Sequence, residues 1–246
     1  MAPFGPAHLR YPLRPSTHCE RTTVGFLDDL KQQADAALAN QARDNGSLQR
    51  NTDLTEAACV SVSRYFTTLV GQLNVLQPVS PARFALDRRT AFDGLKMTTF
   101  RADARRKGPA GQQTHDHVVL HWLLPTGQML DLERDFLPDI ETLESRLKQS
   151  GAQVHSEAVR NPDNGKLKLM RYRVHADFAG SVKVLPDHAN ARLQFQLINL
   201  DGFETVNAEF SALAVNSALL DELARWLVGQ SHTFLSRGEG VRRFPA

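Results

Sequence analysis

Apolar residues along the chain change their period near position 80. From Phe26 onward, Phe26, Leu27, Leu30, Ala34, Ala37 and Leu38 follow the i, i+3, i+4 spacing of one helix face, until the turn signal Asp44-Asn45-Gly46. A second helix follows. Asp53 with Glu56 three residues later reads as a capping box, and Ala57, Ala58, Tyr65, Phe66, Leu69, Leu73 and Leu76 then share one side as far as Pro78. Residues 24–78 are therefore expected to form an antiparallel helical hairpin.

Beyond Pro81 the period falls to two, and short apolar-polar alternations are separated by turn residues. Strands are expected at 83–87, 95–104, 117–124, 128–134, 153–159, 167–176, 181–185, 192–200 and 204–210. Their connections include Asn161-Pro-Asp-Asn-Gly165, Asp187-His-Ala-Asn190 and Asp201-Gly202. Loops that short join antiparallel neighbours, because a parallel crossover needs about a dozen residues. Two helices interrupt or close this meander. Pro138 opens one in which Ile140, Leu143 and Leu147 share a face before Gly151; Asn216 or Ser217 caps another, with Leu219, Leu220, Leu223, Trp226 and Leu227 as its apolar stripe before Gly229. A sheet with one apolar face wants helices on that face. The fold class is α+β: an antiparallel meander sheet with helices packed on one side, preceded by the helical hairpin, and curved enough to leave a groove.

Residues 79–235 belong to the same globular unit as the hairpin, and 236–246 read as a flexible tail. Residues 1–23, with four prolines and no periodicity, read as a disordered tail or as an extension preceding a true start at Val24, a residue that a GTG codon would encode within a longer frame. Arginine outnumbers lysine 22 to 7, the bias of GC-rich bacterial genomes.

Charge narrows the partners. The chain carries 29 basic and 27 acidic side chains, but residues 1–23 and 236–246 each hold three Arg and one Glu, leaving 23 basic against 25 acidic groups between them. A nucleic-acid domain needs a basic face that displaces counterions, so no nucleic-acid partner is expected; the run Arg101, Arg105, Arg106, Lys107 reads as a solvated loop. The longest apolar stretches, 118–124 and 219–228, fall short of the roughly 20 residues that span a bilayer, and no apolar segment follows Arg10 and Arg14 as a secretory signal would require. With two cysteines in unrelated contexts, a reducing, cytoplasmic location is expected. Cys59, among Ala57, Ala58 and Val60, reads as a small core residue.

Chemistry concentrates in Thr114-His-Asp-His-Val-Val-Leu-His-Trp122. On a regular strand Val118, Leu120 and Trp122 face the core while His115, His117 and His121 share the other side, and a turn at Pro125-Thr-Gly127 would bring Glu133 opposite His121. Two histidines at i, i+2 with a neighbouring carboxylate make a zinc-type ligand set, His115, His117, His121 and Glu133. Nothing else rises to a catalytic constellation: Ser61 and Ser63 lack a nucleophile elbow, and no helix follows Gly238-Glu-Gly240 as a phosphate loop needs.

The chain reads first as a non-catalytic bacterial protein, a protein-interaction or assembly module with an unidentified protein partner. The alternatives are a small-ligand or lipid-binding domain in a groove between sheet and C-terminal helix, and a metal-dependent hydrolase centred on His115, His117 and His121.

Overall fold

A computed structural model describes residues 26–246 except 110 and 112; the expectations for residues 1–23 and for a start at Val24 lie outside the described residues. Two units divide at Asn45 and Gly46. Helix α1 (Phe26–Leu76) is one helix of 51 residues, not the expected hairpin. The turn signal does not end it because Asn and Gly each cost a helix interior only about 0.5–1 kcal/mol, less than the hydrogen bonds of the turns on either side supply.

In the unit from Gly46 onward, the strands β1 (Phe84–Ala85) and β2 (Ala91–Phe92) form a small hairpin. The main sheet holds β3 (Thr98–Lys107), β4 (Thr114–Leu124), β8 (Phe178–Asp187), β9 (Arg192–Ile198), β10 (Glu204–Ser211) and β11 (Glu239–Pro245), in the spatial order β11-β10-β9-β8-β4-β3. A third sheet, ordered β5-β7-β6, comprises β5 (Met129–Arg134), β6 (Gln153–Arg160) and β7 (Leu167–His175). Every pairing is antiparallel, and the class is α+β as the sequence implies.

The single meander is corrected to separate sheets, for a local reason. Asp177 Oδ1 accepts hydrogen bonds from the backbone N–H groups of Thr126 (2.7 Å) and Gly127 (3.0 Å) where β4 gives way to β5 and β7 gives way to β8. Both ribbons break at that point, while Ala176 N still donates to Gln128 O (2.9 Å) and keeps them together. Consequently β4 pairs with β8, and β5 with β7. The C-terminal residues, expected as a flexible tail, instead supply β11, with Val206 opposite Arg243 and Thr205 opposite Phe244.

Helix α2 (Leu137–Ser150) carries Pro138 in its first turn and stops at Gly151, whose φ of 71° lies in the left-handed region open to glycine. Helix α3 (Ser217–Leu227) is capped by Asn216, whose Oδ1 accepts from Leu219 N at 3.1 Å. One core joins Cys59, Val62, Phe66 and Leu69 of α1 and Leu220, Leu223 and Trp226 of α3 to alternate residues of the main sheet, Leu120 and Trp122, Val182 and Val184, Phe195 and Leu197. Each such side chain contributes roughly 1.5–3 kcal/mol by leaving water.

The β3 edge is closed in part by α1. Asn74 Nδ2 donates to Phe100 O (2.9 Å) and Phe100 N donates to Asn74 Oδ1 (2.8 Å), so a side-chain amide stands in for a strand partner where the β3–β4 register shifts.

Candidate functional site

The histidine strand does not place its imidazoles together. Arg105 pairs with His117 and Arg106 with His115, so one step along β3 spans two along β4 and Asp116 is the extra residue. That bulge inverts the alternation. His115 therefore turns to the core side with Val118 and is 2% exposed, while His117 and His121 stay on the outer face, half-buried. Glu133 lies in the other sheet opposite Arg171, whose Nε donates to it at 2.8 Å, so it never meets His121. Among the described residues no group of three or more His, Cys, Asp or Glu side chains is placed to hold a metal ion, so the zinc set His115, His117, His121 and Glu133 is not assembled.

What His115 meets is Glu56. Its Nδ1 lies 2.7 Å from Glu56 Oε2, its backbone N–H donates to Oε1 at 2.8 Å, and His188 Nε2, in the turn between β8 and β9, lies 2.7 Å from the same Oε1. Burial alone would raise the Glu56 carboxyl, but the bonds from His188, from the His115 backbone and from the His115 ring outweigh it and hold the group below the usual carboxylate range. A carboxylate between two imidazoles resembles an acid-base pair. Here every Glu56 oxygen is committed, and Asn51 Nδ2 donates to Ala189 O (2.6 Å) beside it, so the cluster fastens α1 to the start of β4 and to the β8–β9 turn. Glu56 thus serves as this latch and not as a helix-start cap, since it lies well inside α1. Nearby Cys59 is fully buried, and burial followed by the Glu56 charge pushes its thiol up to about 12, which removes the thiolate needed for nucleophilic or metal chemistry.

The outer face of the main sheet is different in kind. Across the strands, Asp103, Val119, Lys183, Gln196 and Asn207 stand in one row, and Arg101, His121, Ser181, Ile198 and Thr205 in the next. Arg101 and Arg105 stand on β3, between its two register shifts, and not on the expected solvated loop. Among the described residues Arg101, Arg105, His121, Ser181, Lys183 and Gln196 make no side-chain hydrogen bond or ion pair, and Asn207 Oδ1 is buried without a partner. On the three-stranded sheet, by contrast, Arg171 and Arg173 are paired to Glu133 and Asp131 across strands.

A concavity on this unit lies between two helices and not between the sheet and the C-terminal helix. A concavity of about 600 Å³ between α1 and α3 is floored by Leu69 and Leu220, walled by Arg64, Thr68 and Asn216, and crossed by the Tyr65 hydroxyl donating to Asp221 Oδ1 at 2.7 Å. That bond, after burial, drives the Tyr65 phenol well above its usual value, so it serves as a donor and not as a base.

The N-terminal unit, taken by itself, comprises the described residues 26–45, all helical and all exposed. Phe26 is 76%, Leu27 78%, Leu30 44% and Leu38 63% exposed, and with Ala34 and Ala37 they occupy one helix face. Among the described residues no helix is long and apolar enough to cross a membrane. The chain matches no known family model, no curated protein and no solved structure.

Proposed function

We propose that this protein is a non-catalytic interaction module whose docking element is the first five turns of α1. One observation carries the reading: an apolar face made of Phe26, Leu27, Leu30 and Leu38 that no described residue covers. Scattered surface leucines are ordinary, but a face repeating at i, i+3, i+4 is the anchor pattern of a helix laid into a partner's groove. The chemistry favours a protein over a lipid surface. Residues 26–45 hold Asp28, Asp29, Asp35 and Asp44 against Lys31 and Arg43, and a helix of net negative charge is repelled by anionic bilayers. The Glu56 latch, with its oxygens committed and Cys59 inert, supplies no free base or nucleophile.

The test is site-specific photocrosslinking in the native host, with the crosslinker at Leu30 or at Gln32 on the opposite side of the helix. A discrete protein adduct from Leu30 that is absent from Gln32 and lost on Leu38→Asp is the expected result. Equal adducts from both positions, or none from Leu30, would overturn the assignment.

A further inference from the structure

We propose that β6 is the seat of a symmetric dimer, in which the strand pairs antiparallel with β6 of a second copy and joins the two three-stranded sheets into one. A free strand edge offers unpaired N–H and C=O groups to any extended chain, and folded proteins blunt it. The other edges described here follow that rule. β3 is closed in part by Asn74 and broken by two register shifts; β11 carries Gly240 at a φ of 58°, Arg242, Arg243 and a terminal Pro245; β1 and β2 are two residues long. β5 is held by Arg134, which reaches Asp87 in the β1–β2 turn and the strand's own Glu133 carbonyl. β6 has no such guard. Over residues 153–159 it holds no proline, glycine or lysine and no irregularity, and of the whole strand only Val159 is not fully exposed. Its core-side residues Val154, Ser156 and Ala158 stand opposite Val174, Tyr172 and Met170 of β7. Tyr172 and Val174 are buried, and α2 lies over Tyr172 through Glu144 (2.9 Å), yet Val154 is 41% exposed. The covered face of this sheet thus stops one strand short of its edge.

Register specifies a second copy as the occupant. Directly opposed side chains share a face of a sheet, so two copies of one strand related by a twofold axis pair only with residues of equal parity opposite one another. The axis therefore lies beside one residue. Ser156 is the centre of the regular stretch 153–159, which ends at the register shift before Arg160. Pairing about Ser156 sets His155 opposite the partner's Glu157, twice by symmetry, with Val154 opposite the partner's Ala158 and the two Ser156 hydroxyls facing each other. A centre at His155 leaves Glu157 opposite a glutamine, and a centre at Glu157 opposes two carboxylates, which repel. Longest overlap and charge thus select the same register. The rows behind the edge fit it as well. Asp131, Arg173 and His155 form one cross-strand row and Glu133, Arg171 and Glu157 the next. One row ends at the edge on an imidazole and the other on a carboxylate, so pairing about Ser156 joins each row to the other at a donor–acceptor contact. Seven paired residues are few against the roughly 1,200 Å² of a standard interface, so the dimer belongs to the weak, micromolar class.

Sedimentation equilibrium of the full chain across the micromolar range should show a reversible monomer–dimer equilibrium. Glu157→Lys should weaken it about tenfold, because both symmetry-related pairs are lost together, and His155→Glu combined with Glu157→Lys should restore it to within about threefold. Register is read by oxidation in a Cys19→Ser background, in which the remaining cysteine, Cys59, is fully buried. Ser156→Cys should form a disulfide-linked dimer, since opposed strand residues lie within the span a disulfide accepts. Gln153→Cys and Val159→Cys should link to one another in a mixture and not singly. Leu30→Asp with Leu38→Asp should leave the dimer intact, which separates it from the α1 stripe. Circular dichroism and the denaturant midpoint establish that each variant is folded. A monomer at every concentration, a dimer indifferent to Glu157→Lys, or a charge exchange that fails to restore it would overturn the proposal. So would equal disulfide yields from Ser156→Cys and Gln153→Cys alone, or a dimer lost with the α1 leucines. None of these results bears on a crosslink from Leu30 to a different protein.

Discussion

Gly180→Ala should be among the most costly small substitutions in the protein, and Trp122 is the reason. The two residues are directly opposed on β4 and β8, and the indole lies over the glycine while stacking against Phe100 with ring centroids 6.0 Å apart. A Cβ at position 180 would come within 2.6 Å of Trp122 Nε1 and closer still to two ring carbons. In an open strand Gly→Ala stabilises slightly through the unfolded chain. Here the steric term wins, because Trp122 is 1% exposed and has nowhere to retreat. Overpacking of this kind costs about 1–3 kcal/mol, and Trp122→Ala costs about 3–5 kcal/mol as a large buried truncation. The double variant is the informative one. Once the ring is gone the new methyl occupies vacated space, so the combined loss should fall short of the sum by about 1–2 kcal/mol. Urea midpoints at constant slope measure all three variants, and thermal midpoints should move by about 2–4 °C per kcal/mol. Additivity within about 0.5 kcal/mol, or a neutral Gly180→Ala, would mean that the indole does not pack on the glycine.

Two further outcomes test the neighbouring assignments. Because the folded Glu56 carboxyl titrates below its ordinary value near 4.3, its stabilisation is complete above about that pH and is lost as pH falls through the folded value. Glu56→Gln should accordingly cost about 1–3 kcal/mol at neutral pH, and the gap to wild type should close as pH falls below the ordinary carboxylate value in denaturant titrations; a gap independent of pH would remove the carboxylate from the account. Cys59, fully buried with its thiol raised to about 12, should resist a thiol reagent until the protein unfolds, so that labelling tracks denaturant concentration. Rapid labelling under native conditions would place it at the surface.

How far the sequence reveals this molecule depends on whether the determining contacts are local. Alternation along 117–124 and 204–210 marks the strands that form there, and Asn216 with Gly229 brackets α3, since period and capping are properties of neighbouring residues. The histidine strand fails for an equally physical reason. A single extra residue, Asp116, reverses which face His115 takes, and nothing in Thr114-His-Asp-His117 announces a bulge. Glu133 is misplaced because β5 finds its partner in β7, some 40 residues on, while the bend at Asp177 separates it from β4. Glu56 and His188 are 132 positions apart, and the capping-box spacing of Asp53 and Glu56 offers a local explanation that the continuous helix removes.

The central claim is that the apolar face of residues 26–45 exists for a partner and not for the protein's own core. Leu30→Asp with Leu38→Asp tests it most directly, with folding stability and the crosslink from a reporter at Leu27 measured on the same preparation. Since both leucines are exposed, the account expects stability unchanged within about 0.5 kcal/mol and the adduct abolished. A loss of stability above about 1 kcal/mol, or an adduct that survives both charges, would contradict it.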